Sequence, residues 1–252
     1  MGFEVDVDAY DRFMGRFSEP LAELFVARAG VRPGQRALDV GCGPGALTAR
    51  LVELLGTDAV AALDPSDSFV AAARGRFPGL DVRRGVAERL PYADNAFDAA
   101  LAQLVVHFMK DPVAGLREMA RVTRPGGVVA ACVWDHRGGT GPLEAFWRAV
   151  LDLDPASPGE AELPGTGEGQ LVELARAAGL ADAEQDTLTV TLRFASFADW
   201  WEPFTLGVGP AGDHVAGLDE AARAELAEAC VRRLPPAPFE ITATAWFLRA
   251  CA

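Results

Sequence analysis

The stretch Leu38-Asp-Val-Gly-Cys-Gly-Pro-Gly-Ala-Leu-Thr48 decides the fold of this chain. It begins in an apolar strand, passes through three glycines and enters a helix that the pattern predicts over residues 46–55. Because Gly41, Gly43 and Gly45 lack Cβ atoms, the loop can adopt positive φ angles and a ligand can approach its main chain. The N–H groups at the start of the helix then face that ligand. The stretch therefore predicts a strand–loop–helix unit that binds a nucleotide-like cofactor.

The choice of cofactor depends on two neighbouring residues. The spacing Gly41-x-Gly43-x-x-Ala46 also fits the dinucleotide fingerprint. However, Pro44 has no N–H to offer a pyrophosphate, and Asp39 places a carboxylate where that pyrophosphate would lie. Both residues suit a cofactor that carries an ammonium group and no phosphate. They therefore favour S-adenosylmethionine over a nicotinamide or flavin cofactor. A tight strand–helix connection without a ligand stays compatible with the loop taken alone.

This loop resembles motif I of the class I S-adenosylmethionine-dependent methyltransferases. The closest branch is the methyltransferase type 11 or quinone C-methyltransferase-like group, which also includes sterol C-methyltransferases and natural-product tailoring enzymes. The resemblance covers about residues 8–135. It implies S-adenosylmethionine as cofactor, S-adenosylhomocysteine as product, and cofactor contacts from Asp39 and the three loop glycines.

Two further segments match this family in order. Strand two ends at Asp64, and an acidic residue there can accept hydrogen bonds from both ribose hydroxyls. The alternative is that Asp64 is only a neighbour of the next helix's N-cap, since Ser66 and Asp67 also precede that helix. By the resemblance, Pro65 would lie against the adenine.

The adenine segment follows strand three. Ala87 and Glu88 fall on the family's adenine-contacting positions, whereas Val86 stands where many relatives carry an aspartate. Strand four then ends at Gln103, and in the family this strand end lies under the sulfonium and faces the substrate.

The N-terminal run Tyr10-Asp-Arg-Phe-Met-Gly-Arg16 resembles a lid over the methionine end of the cofactor. The resemblance implies that Arg16 pairs with the methionine carboxylate and that Tyr10 stacks or donates its hydroxyl. The alternative is an amphipathic surface segment that packs Phe13 and Phe17.

Two histidines are candidates for a general base. His107 and His136 each follow a predicted strand end, and imidazole titrates near neutral pH. A phenol, an enol or an activated carbon would need such a base, whereas an already nucleophilic acceptor would not. His214 is expected at the surface.

The expected fold is α/β: a Rossmann-like seven-stranded methyltransferase sheet with its last strand antiparallel, helices on both faces and an insertion cap. We expect one domain over 1–252, with a lid and helix in 1–30 and a cofactor-binding core in 31–135. Insertions at 136–166 and 196–238 would form the substrate cap. Five tryptophans near this edge suggest a hydrophobic acceptor, although ordinary packing explains the pair Trp200-Trp201 nearly as well.

Composition narrows the partners. A net charge of −13 disfavours a nucleic-acid substrate, and no run approaches the roughly 20 apolar residues that a membrane span needs. The acidic N-terminus does not read as a signal peptide. Four cysteines without metal-ligand spacing predict reduced thiols, no metal and a cytoplasmic location.

The sequence thus predicts methylation of a small, hydrophobic organic molecule at O, C or N, with the oligomeric state open. Two alternatives are a nicotinamide-dependent oxidoreductase and a repurposed or non-catalytic S-adenosylmethionine-binding protein.

Overall fold

The computed structural model describes residues 6–252, and the first five residues of the predicted lid lie outside this range. Seven strands form one sheet in the order β3-β2-β1-β4-β5-β7-β6. The strands are β1 (Ala37–Val40), β2 (Val60–Asp64), β3 (Asp81–Arg84), β4 (Phe97–Gln103), β5 (Thr123–Trp134), β6 (Glu184–Phe194) and β7 (Phe239–Cys251).

Strand direction confirms the predicted fold class. Strands β1 to β5 pair in parallel, whereas β7 runs antiparallel to both β5 and β6. The order reverses between β1 and β4, the two central strands. Ligands of open α/β sheets bind outside the carboxyl ends of the strands at such a reversal.

Helices cover both faces of the sheet. They are α1 (Val7–Tyr10), α2 (Arg16–Ala29), α3 (Ala46–Leu55), α4 (Asp67–Arg76), α5 (Pro112–Val122), α6 (Glu144–Leu153), α7 (Gln170–Ala177), α8 (Phe197–Trp201), α9 (Gly209–Ala216) and α10 (Glu220–Val231). Within β4, Leu101 joins the core under α2 and α3, while Ala100 joins the core under α5 and α7. This alternation explains why the central strands are apolar throughout.

The segments after β5 hold more helix than the sequence pattern predicts. The second insertion carries α8 and α9 in addition to the expected α10. Helix α9 begins Gly-Pro, and proline is tolerated there because the first turn has no intrahelical partner for its N–H. Within residues 6–252, no helix combines the length and the apolar composition needed to cross a lipid bilayer.

Helix α2 offers a matched pair of substitutions that tests its packing. Phe25 is fully buried and meets Phe247 of β7 edge to face at 5.7 Å between ring centroids, whereas the neighbouring Leu24 is 40% exposed. Phe25→Ala should lower the free energy of unfolding by about 3–5 kcal/mol, because it leaves a cavity. Leu24→Ala should change it by no more than about 0.5 kcal/mol. Urea denaturation measures both, and equal effects would contradict the described packing.

Candidate active site

A single carboxylate joins the glycine loop to the end of β2. Gly43 N–H donates to Asp64 Oδ2 at 2.9 Å, and Ser66 N–H donates to Asp64 Oδ1 at 2.8 Å. The Leu63 carbonyl accepts two more loop hydrogen bonds, from Gly41 at 2.8 Å and from Cys42 at 3.0 Å. Burial raises the pKa of Asp64, while its two N–H partners lower it. The loop is therefore fixed against β2 before any ligand binds.

The loop glycines have conformations that other residues rarely adopt. Gly43 has φ of 53° and nothing lies within 4 Å of a Cβ built there, so its main chain borders open space. Gly41 has φ of 74°, and a Cβ there would lie 2.5 Å from Val105 Cγ2. A side chain at either position is strained, and at Gly41 it would also displace Val105.

A cavity of about 580 Å³ opens beside this loop at the carboxyl edge of the sheet. It brings together eleven of the residues that the sequence singles out. They are Tyr10, Gly41, Gly43, Asp64, Pro65, Val86, Ala87, Glu88, Gln103, His107 and His136. These residues come from the N-terminal segment and from the carboxyl ends of five strands, β1 to β5, so the fold brings them to one space.

The adenine-segment residues differ in their surroundings. Val86 is 48% exposed and Ala87 is buried. Glu88 Oε1 accepts the main-chain N–H groups of Lys110 and Asp111, at 2.7 and 3.2 Å. The Glu88 carboxylate therefore also holds the start of α5 in place.

Asp39 lies below the loop rather than in the main cavity. It is buried, and the Thr48 hydroxyl donates to its Oδ2 at 2.6 Å. Burial raises the pKa of Asp39 to about 7. Asp39 lines a smaller cavity of about 30 Å³ that shares Tyr10, Gly41, Gly43 and Gln103 with the larger one.

Three predicted cofactor residues are absent from the lining of the main cavity: Asp39, Gly45 and Arg16. Gly45 directly precedes α3. Arg16 donates from Nη1 to Asp199 Oδ1 at 2.9 Å, and its guanidinium lies over the Phe194 ring. Arg16 therefore joins α2 to α8 in this structure, and its pairing with a cofactor carboxylate stays a prediction.

Gln103 presents an unsatisfied acceptor to both cavities. Its Nε2 donates to the Ser18 carbonyl at 2.9 Å, whereas Oε1 is buried without a hydrogen-bond partner in the described structure. The next residue, Leu104, has φ of 61°, which is uncommon for a bulky side chain. A buried, unpartnered acceptor is costly, so a ligand donor at Gln103 would stabilise the site.

Both candidate bases face the cavity in neutral form at pH 7. The rings of His107 and His136 lie 6.3 Å apart between centroids. Burial lowers the pKa of His136 to about 4, and burial together with the nearby His136 holds the pKa of His107 well below its ordinary value. His107 Nδ1 is buried without a hydrogen-bond partner in residues 6–252. Either imidazole can exchange hydrogen bonds with a ligand, but each is a weak base in this state.

The N-terminal segment covers the cavity. Tyr10, Phe13 and Met14 line it, and Trp134 Nε1–H donates to Met14 Sδ at 3.4 Å. Burial raises the pKa of Tyr10 to about 12, so its hydroxyl remains protonated at neutral pH. The segment from Asp11 to Gly15 is a single π-helical turn, a feature often found at functional sites.

The segments after β5 contribute residues that the sequence did not single out. Glu160 and Leu143 line the cavity from 136–166, and Val208 and Ala211 line it from 196–238. Glu160 is buried and accepts a hydrogen bond from Trp147, which lies 13 residues earlier in the chain. This contact distinguishes it from the acidic residues in the loop around it.

Most of the tryptophans pack inside the protein instead. Among the five, only Trp134 lines the cavity in the described structure. Trp200 and Trp201 pack with Phe197 and Phe204. His214, expected at the surface, is half-buried against the ring of Trp147.

Residues 38–131 match the family model described as "Methyltransferase domain". This part of the chain is similar to a methyltransferase domain. The match begins in β1 and ends in β5, and so spans the glycine loop, Asp64 and Gln103. The resemblance to class I S-adenosylmethionine-dependent methyltransferases is confirmed.

Relatives and solved structures agree with this domain assignment. A demethylmenaquinone methyltransferase of Beutenbergia cavernae is 45% identical over 98 residues, covering 39% of this chain and 40% of the relative. The chain spans about half the length or less of the first curated relatives that it matches.

Two solved structures cover almost the whole chain. The [4+2]-cyclase SpnF is 25% identical, with a TM-score of 0.55 over 92% of this chain and 81% of its own. An N-methyltransferase of Haemonchus contortus, named for phosphoethanolamine and solved with phosphomonomethylethanolamine and S-adenosylhomocysteine, is 20% identical with a TM-score of 0.56. That match covers 98% of this chain and 60% of the other, and it shows the shared fold.

The environment of His136 can be tested by titration. His136 should protonate near pH 4 rather than at 6.5, because burial disfavours its charged form. The unfolded chain takes up this proton at higher pH, so the free energy of unfolding should decrease as pH falls from 6.5 towards 4. NMR of ring protons, assigned with His136→Asn, measures the midpoint. A midpoint near 6.5 would show that this ring is solvated.

Proposed function

We propose that this protein catalyses S-adenosylmethionine-dependent methyl transfer to a small, hydrophobic organic acceptor at O, C or N. One observation carries the proposal: Asp64 and the glycine loop share one cavity with His107 and His136. Cofactor-binding and acceptor-binding groups would therefore face the same enclosed space, as direct transfer between two bound molecules requires.

The residues at the loop fit the cofactor's groups. The Asp64 carboxylate would accept hydrogen bonds from the ribose hydroxyls, and Pro65 and Ala87 would border the adenine. Gln103 Oε1 lacks a donor in the described structure, and the cofactor's ammonium group would supply one. Asp39, close below, would add negative charge at that end.

The cofactor, once bound, supplies an electrophilic methyl group on a sulfonium. The chain's own contribution is to hold the acceptor's nucleophilic atom in line and to exclude water, and orientation of this kind is worth about 7–11 kcal/mol in favourable cases. His107 and His136 would orient the acceptor through hydrogen bonds. The buried side chains of Trp134, Leu143 and Val208 would keep water away.

The comparisons support the cofactor and the acceptor class at a coarser level. The Haemonchus contortus enzyme of the same fold was solved with S-adenosylhomocysteine. The Beutenbergia cavernae relative is named for a quinone, which is consistent with an apolar acceptor.

We also propose that residues 136–166 and 196–238 act as a substrate cap on a single domain. Free cysteines in the described structure support a reducing compartment such as the cytoplasm.

A second candidate function has one observation in its favour. The solved structure that is 25% identical to this chain is named as a [4+2]-cyclase. Under this alternative the fold would serve another reaction, and the same cavity would bind a hydrophobic substrate without methylating it.

Calorimetric titration with S-adenosylhomocysteine tests the cofactor assignment. Asp64→Asn should weaken binding about tenfold to a hundredfold, because a hydrogen bond to a charged group is worth about 1.5–3 kcal/mol. Asp67→Asn is the matched control: Asp67 pairs with Arg84 in an exposed position and should leave the affinity unchanged.

NADH should not bind to either variant or to the wild type. Tighter binding of NADH than of S-adenosylhomocysteine, or no binding of the adenosyl ligand, would contradict the proposed function.

A further inference from the structure

Glu160 is a buried carboxylate that the cofactor does not account for. It lies between α6 and α7, it is 5% exposed, and it lines the cavity. Trp147 Nε1–H donates to its Oε2 at 2.8 Å. Within residues 6–252, no donor bonds to Oε1 and no cation pairs with this carboxylate. One oxygen is thus anchored, and the other is left for a ligand.

The other carboxylates of the cavity are already engaged by the main chain. Asp64 accepts N–H groups from Gly43 and Ser66. Glu88 accepts N–H groups from Lys110 and the residue after it. Each of these carboxylates therefore stabilises the fold around it, whereas Glu160 has only an indole N–H as its partner.

The apolar lining of the cavity favours a neutral ligand with a polar hydrogen at Glu160. Leu143, Val208 and Ala211, which line the same cavity, are all buried and apolar. An apolar ring system fits such a lining, and desolvating a cation there would cost more than desolvating a neutral group. A hydroxyl on the ring would satisfy the carboxylate through a charge-assisted hydrogen bond.

Building on the proposed function, we propose that Glu160 binds the acceptor's hydroxyl and takes its proton, and that the acceptor is a phenol-like or enol-like apolar molecule. The acceptor O–H bond breaks and a new O–H bond forms on Glu160 Oε1. The carboxylate becomes a neutral carboxylic acid, and the acceptor becomes an oxyanion. Charge and atoms balance without any further reactant.

The basicity of Glu160 suits this role better than that of either histidine. Burial raises the pKa of Glu160 to about 7, and the Trp147 hydrogen bond opposes that rise. A general base works best when its pKa lies near the working pH. His136, with a pKa of about 4, would accept a proton from the acceptor far less readily.

Other charged or titratable groups line the cavity or pack near Glu160, and Lys110, Asp64 and Glu88 are among those that line it. His107 and His136 face it, and His214 on α9 packs against Trp147. Arg137 donates to the Ala161 carbonyl and to Glu162. The pKa values of the three histidines are all lowered, so at neutral pH Glu160 is the group expected to titrate.

The test compares binding of 2-naphthol with binding of its methyl ether, 2-methoxynaphthalene, by calorimetry. At about pH 8.5, above the pKa of Glu160, the wild type should prefer the naphthol about tenfold or more, because only the naphthol can donate a charge-assisted hydrogen bond to the carboxylate. At about pH 5.5, where the carboxyl is protonated, the preference should fall towards unity.

Two variants isolate the carboxylate. Glu160→Gln keeps an acceptor for the Trp147 N–H, so the protein should fold, but the preference should shrink and lose its pH dependence. Glu162→Gln, an exposed neighbour that does not line the cavity, should behave as the wild type. Trp147→Phe should move the pH midpoint upward, because it removes a hydrogen bond that favours the charged form.

The outcomes separate this proposal from the proposed function. An undiminished, pH-dependent preference in Glu160→Gln, or no naphthol binding by the wild type, overturns the role of Glu160 even when S-adenosylhomocysteine binds normally. Loss of S-adenosylhomocysteine binding alone would instead count against the proposed function. A role confined to holding the Trp147 loop predicts equal affinities for the two naphthalenes at both pH values.

Discussion

The Asp64 carboxylate holds the site together. By accepting N–H groups from Gly43 and Ser66, it fixes the glycine loop and the start of α4 to the end of β2. The two contacts use both oxygens of a buried group, which compensates for the cost of removing a charge from water. The loop is thereby preorganised, and binding need not order it.

The cavity combines two sources of residues with different constraints. One side, which includes Asp64 and Gln103, comes from the strand ends of the central sheet. Its other side comes from the segments between β5 and β6 and between β6 and β7, including Glu160 and Ala211. Loops on a rigid sheet commonly carry specificity in this way. The same framework can therefore serve different acceptors when these segments change.

The sequence predicted the central sheet and the strand–glycine loop–helix unit well because both depend on local pattern. Three glycines after an apolar strand specify the turn. Asp64 could be singled out because it ends the second strand, one strand–helix–strand step after the glycine loop. Arg16 could not be predicted in the same way, since its partner Asp199 lies 183 residues further along the chain. Glu160 was missed because its surrounding segment looks like a polar loop, and neither its burial nor its contact with Trp147 can be inferred from that pattern. The tryptophans show the same limit: composition predicts apolar surface, but packing decides which ring meets the cavity.

A crystal structure of the protein with S-adenosylhomocysteine bound tests the central claim most directly. We expect the ribose hydroxyls to donate to Asp64, the amino group to lie near Gln103 Oε1, and the sulfur to point towards the part of the cavity that His107 and Glu160 line. Adenosine placed elsewhere, or a sulfur directed away from that part of the cavity, would contradict the proposed arrangement.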